Sequence, residues 1–165
     1  MSNYGRQGPT GGGGGYGARD RSQATETIGD QWEEYLKAGY FDADGNLFKE
    51  LVSPEKVEPL IERMADEGLT TGQLRRFFQH CRGIESQLKS GTTSWPQVRT
   101  KVEFLAAAAA DAYGKQPPKI PSLFYSFIRR NVDSVKTEKD FLKGFLPHFE
   151  ALVGFGSLYL QKERN

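Results

Sequence analysis

From Thr25 onward the apolar residues recur every three or four positions, and no stretch alternates apolar and polar residues for long. This spacing predicts helices and no sheet. Ile28, Trp32, Tyr35 and Leu36 trace one stripe on a first helix ending near Gly39. Residues 41–46, Phe-Asp-Ala-Asp-Gly-Asn, have the composition of a turn. Ser53 stands where a helix N-cap belongs, with Pro54 at the favoured first position. Val57, Leu60, Ile61 and Met64 form the buried stripe of this second helix, and Gly68 stops it. Thr70 and Gln73 have the spacing of a capping box, flanked by Leu69 and Leu74 as a hydrophobic staple. Leu74, Phe77, Phe78, Cys81, Ile84 and Leu88 then share one face of a third helix.

Ser94 and Gln97 repeat the capping-box spacing and open a fourth helix that runs to about Tyr113. Val98, Val102, Leu105, Ala109 and Ala112 face inward; the small side chains of residues 106–110 allow a neighbouring helix to come close. Residues 116–121 contain three prolines and are read as a linker. A fifth helix follows from Ser122 to about Val132, with Leu123, Phe124, Phe127 and Ile128 on its apolar side. Thr137 caps the last helix, whose stripe is Phe141, Phe145, Phe149 and Leu152; Pro147 inside it predicts a kink or a restarted helix. The fold class expected is all-α: a single compact bundle of five to six helices over residues 25–165.

Residues 1–24 differ in kind. They hold eight glycines, and their only large apolar side chains are Tyr4 and Tyr16. Too little apolar surface is present to offset the entropy of ordering, so a disordered arm is expected. Tyr16, Arg6, Arg19 and Arg21 suit weak RNA contact, but an inert leader is the better fit.

The formal net charge of +1 conceals a partition. Residues 25–68 carry 4 Lys/Arg against 12 Asp/Glu, and residues 69–139 carry 12 against 5. Separate acidic and basic surfaces are expected, the basic one suited to a polyanion. The single cysteine, Cys81, excludes an intramolecular disulfide and a cysteine-rich metal site. No signal-peptide pattern and no apolar run of membrane-spanning length is visible, so a cytoplasmic protein without membrane contact is expected.

Enzyme chemistry finds little support. His80 and His148 lie in separate helices without an accompanying motif, as lone surface or boundary residues would. Cys81 sits on an apolar stripe, where burial raises a thiol pKa. Asp42, Asp44 and Asn46 match the first ligands of a calcium loop, but Leu47 and Ser53 stand where it needs glycine and glutamate. No enzymatic activity, no cofactor and no metal are expected. What remains is a set of cations on helical frames: Arg75, Arg82, Lys89, Lys101, Arg129, Arg130, Lys136, Lys139 and Lys143. Arg75, Arg82 and Lys89 share a face of the third helix, and Arg76 points away from it. Most aromatics fall on buried stripes, so backbone contact without base readout is expected.

Leu69-Thr70-Thr71-Gly72-Gln73-Leu74-Arg75-Arg76-Phe77-Phe78 resembles a motif of the small subunit of the type III-A CRISPR effector, the Csm complex. Residues 145–155, Phe-Leu-Pro-His-Phe-Glu-Ala-Leu-Val-Gly-Phe, are similar to that family's closing helix, and the alanine-rich helix between them matches in position. The resemblance implies a non-catalytic helical subunit of an antiviral ribonucleoprotein. Such a subunit stacks in copies beside the repeated backbone subunit and the large subunit, and contacts the crRNA and target RNA backbones. It singles out Arg75; Arg76 could meet either RNA or a neighbouring subunit. The family's basic residue after the alanine-rich helix is replaced here by Asp111, with Lys115 slightly later. The alternative is a helical protein-interaction adaptor, its acidic and basic faces docking head to tail without nucleic acid.

Overall fold

In a computed structural model the described residues, 28–32 and 34–161, form an all-helical bundle. The elements are α1 (Ile28–Gln31), α2 (Pro54–Asp66), α3 (Thr71–Lys89), α4 (Trp95–Gly114), α5 (Ser122–Ser134) and α6 (Leu146–Tyr159). A 3-10 turn (Lys49–Leu51) precedes α2, and a π-helical segment (Asp140–Phe145) leads into α6. Among the described residues, β pairing is confined to two isolated bridges, Phe41 with Leu47 and Thr70 with Gln161. The arm expected over residues 1–24 lies outside the described residues.

The start and stop signals act as read. α2 closes in a Schellman motif: Gly68 takes φ +98°, the Leu69 amide donates to Met64 O at 3.0 Å, and the Gly68 amide to Ala65 O at 2.9 Å. The α3 capping box is complete, Gln73 N to Thr70 Oγ1 at 3.2 Å and Thr70 N to Gln73 Oε1 at 3.1 Å. Leu69 and Leu74 are both buried beside it. At α4, Gln97 Oε1 accepts from the Ser94 amide at 2.9 Å. Ser53 occupies the α2 N-cap, but its side chain makes no cap hydrogen bond. Thr137 Oγ1 accepts from the Asp140 amide, while Asp140 Oδ2 accepts from the Thr137 amide.

Two expectations change. The first helix does not run to Gly39: α1 ends at Gln31, and single turns follow, Tyr35 N to Trp32 O and Gly39 N to Leu36 O. Leu36 takes a left-handed φ of +58°. The pull comes from tertiary contacts, since Tyr35 must reach polar partners inside the bundle. At Pro147 the helix restarts. Proline cannot donate to the carbonyl four residues back, and the backbone widens just before it, with Leu146 N donating to Phe141 O in π geometry.

α6 packs against α2 and α3, and α4 against α5 and α3. Phe124, Phe127, Phe141, Phe145 and Phe149 are fully buried; Phe124 and Phe127 stack with planes 16° apart, and the other pairs meet edge-on or tilted, with centroids of Phe127 and Phe149 5.3 Å apart. Of the alanine run, Ala109 is buried whereas Ala107, Ala108 and Ala110 are exposed.

One polar chain crosses this core. Tyr40 Oη donates to Asn131 Oδ1 at 2.9 Å, Asn131 Nδ2 donates to Tyr35 Oη at 2.8 Å, and Tyr35 Oη meets His148 Nε2 at 2.8 Å. His148 Nδ1 reaches Leu51 O at 2.5 Å. A carbonyl can only accept, so Nδ1 carries the proton and Nε2 accepts from Tyr35. The second Asn131 amide hydrogen goes to Phe127 O at 2.9 Å. Every member is thereby satisfied.

Candidate nucleic-acid interface

The basic residues expected to form one interface occupy several settings. On α3, Arg75 is exposed with no ion pair or hydrogen bond of its side chain among the described residues. Arg82, two turns later, is engaged: Nη1 donates to Glu85 Oε2 at 2.7 Å and Nη2 to Glu150 Oε1 at 3.0 Å. Its guanidinium lies 5.0 Å from the centre of the Phe78 ring. The hydrogen bond that Arg82 donates to Glu85 raises the Arg82 pKa further. Lys89 donates to the other Glu85 oxygen at 2.5 Å. Burial pushes the Glu85 carboxyl up, but the bonds from Lys89 and Arg82 prevail and hold it below its ordinary value. The Arg82–Lys89 half of this face thus has its two positive charges balanced by two carboxylates, leaving Arg75 as its open cation.

Arg76 faces a different seam. With His80 and Phe77 it lines a small groove against Leu105 and Ala108 of α4, about 120 Å³ in volume. His80 Nε2 donates to Lys101 O at 3.2 Å, and Lys101 Nζ donates to Gln87 Oε1 at 2.8 Å, so both clasp α3 to α4. Phe104, 65% exposed, stands four residues before Ala108, on the same face of α4.

On α5, Arg129 and Arg130 are exposed. Arg129 Nη1 donates to Tyr125 Oη at 3.4 Å, and the Tyr125 ring stacks on Tyr113 of α4, centroids 4.9 Å apart and planes 11° from parallel. This half-buried pair was missed in the sequence, where aromatics were expected on the buried stripes. The available signal was that Tyr125 falls outside the Leu123–Phe124–Phe127–Ile128 stripe. Lys139 donates to Gly45 O at 3.2 Å and rests 4.2 Å over the Phe41 ring. Lys136 and Lys143 are exposed, and their ammonium groups have no partner among the described residues.

The residues weighed for catalysis are otherwise committed. His148 is not the surface or boundary residue expected; it is fully buried, and burial lowers its pKa to about 4. Burial pushes the Cys81 thiol up to about 12. Asp42 Oδ1 accepts from the amides of Asp44 and Asn46 within its own turn. No cluster of three potential metal ligands occurs among the described residues. A cavity of about 390 Å³ lined by Trp32, Leu36 and Phe48 has Tyr35 in its wall, but that hydroxyl is tied into the polar chain. No helix among the described residues is long and apolar enough to cross a membrane.

The model of the Csm2 Type III-A family matches residues 53–162, two thirds of the chain. No curated protein and no solved structure matches significantly.

Proposed function

Since the chain belongs to the Csm2 Type III-A family, the small subunits of the type III-A Csm complex, we propose that it is a non-catalytic subunit contacting the crRNA and target RNA backbones. The observation that carries this reading is the pair Arg75–Arg76. Both guanidinium groups are exposed at the start of α3, just beyond a complete capping box, and neither has an acidic partner among the described residues. A guanidinium on a fixed helix end can grip a phosphate bidentately without reading sequence. Arg130, Lys136 and Lys143 are open and join the interface, as does Arg129, whose guanidinium is held only by Tyr125 Oη at 3.4 Å. Arg82, Lys89, Lys101 and Lys139 are already engaged, and contribute less to RNA contact than the sequence suggested.

In this reading the partners are crRNA, target RNA, the repeated backbone subunit, the large subunit and stacked copies of the chain, all in the cytoplasm. Residues 25–165 act as one domain, and residues 1–24 as an appended arm. Arg76 lines the α3–α4 groove with Leu105 and Ala108, so a neighbouring subunit seated in that groove would meet it beside its phosphate contact.

Affinity purification of the tagged chain from its native host tests this. Recovery with crRNA and the backbone subunits is expected, and the double variant R75A/R76A should lose RNA while retaining its melting temperature. Recovery of protein partners alone, free of RNA, would establish the adaptor instead.

A further inference from the structure

We propose that a cleft at the corner of α3, α4 and α5 receives one unpaired base of the RNA, stacked against Tyr113; this rests on reading the chain as an RNA-contacting subunit. The cleft has a volume of about 320 Å³, and Tyr113, Pro118 and Pro121 are among the residues that line it. That is within the usual size of small-molecule sites, roughly 300–1,000 Å³. Tyr125 stacks on Tyr113 without lining the cleft, so the aromatic wall is fixed before any base arrives. Gly68 adds an open stretch of backbone: its φ is +98°, and nothing lies within 4 Å of where a Cβ would stand.

The polar groups suit a base and not a phosphate. Glu67 lines the cleft, and its Oε1 accepts from Ser122 Oγ at 3.1 Å. A carboxylate repels a phosphate but accepts from the exocyclic amino group of adenine, cytosine or guanine. Gln73 Oε1 is spent on the Thr70 amide, which leaves the carboxamide N–H groups on the cleft wall as donors. Lys119, anchored through its amide to Ala112 O at 2.8 Å, also lines the cleft and supplies a cation for the flanking phosphate. One turn along α3 from Gln73, Arg76 opens onto the groove with Leu105 and Ala108, so the cleft and the cationic seam follow one another along α3 and α4. Uracil lacks an amino group and should occupy the cleft least well.

The test uses the full chain at low salt and a single-stranded RNA carrying one 2-aminopurine. Wild-type protein should quench the probe by stacking. Y113F should retain the quenching, and Y113A should lose it together with roughly 5- to 100-fold in affinity. E67A should narrow the preference for oligocytidine over oligouridine. Because Y113A disturbs a packed ring, wild-type protein is also photocrosslinked to RNA bearing 5-iodocytosine; the adduct is expected on Tyr113. Salt-sensitive binding with unchanged quenching in Y113A, or adducts only elsewhere, overturns the cleft and spares the backbone interface. Absence of any RNA binding by the wild-type chain overturns both.

Discussion

His148 shows how one side chain sets a pH limit on the whole fold. It is buried as the neutral ring, with its pKa lowered from 6.5 to about 4 by burial. The unfolded chain therefore takes up a proton that the folded chain refuses throughout that interval, and stability rises with pH there. Above pH 6.5 the contribution is complete; it is lost as pH falls toward 4, by about 3 kcal/mol at the limit. Urea unfolding at pH 7.5, 6 and 5 should give steadily falling midpoints, and H148Q should flatten the pH dependence of this interval while lowering the midpoint at pH 7.5. Carboxylates such as Glu85, held below their ordinary value, act only at more acidic pH. The sequence offered no means of separating His148 from His80. Both fall within helical patterns, and only the convergence of Tyr35, Leu51 and Asn131 makes one of them interior.

At the scale of elements, the helices with strong local punctuation were legible almost to the residue. α3 has its capping box and staple, and α2 has proline at its start and glycine beyond its end. Legibility failed where long-range contacts overruled periodicity. Residues 28–39 keep a helical spacing of apolar groups, yet turn after Gln31 to bring Tyr35 and Tyr40 into the bundle. The π-helical segment marks the other conflict between sequence and geometry. Gly144 lies within it, where an added Cβ would sit 2.4 Å from Tyr40 Cγ. G144A should therefore cost about 1–3 kcal/mol through overpacking. G154A, on α6 with nothing within 4 Å of the added atom, should gain up to about 1 kcal/mol from helix propensity. Denaturation midpoints of the two variants, moving in opposite directions, would check this.

For the molecule as a whole, a list of basic residues is not yet an interface. The sequence placed Arg75 and Arg82 on one helical face, and they share that face. It could not show that Glu85 and Glu150, one from the same helix and one from α6, converge on Arg82. The two arginines should accordingly behave as opposites. R82A leaves buried Glu85 with only Lys89 and should lower stability by about 1–3 kcal/mol, with little change in the salt dependence of RNA binding. R75A should melt within about 0.5 kcal/mol of wild type, while the slope of log affinity against log salt falls by about 0.7–0.9. Thermal melts and salt titrations on both variants separate the roles.

The directional relay from Tyr40 to Leu51 O also fixes where this protein can be cut. The family match begins at residue 53, which invites trimming everything ahead of it. A fragment trimmed there would forfeit both phenols and the Leu51 carbonyl, stranding His148 in hydrocarbon without a polar companion and leaving Asn131 with Phe127 O alone. The smallest workable fragment must reach back at least to Ile28, because the stretch ahead of the matched region is masonry inside the wall.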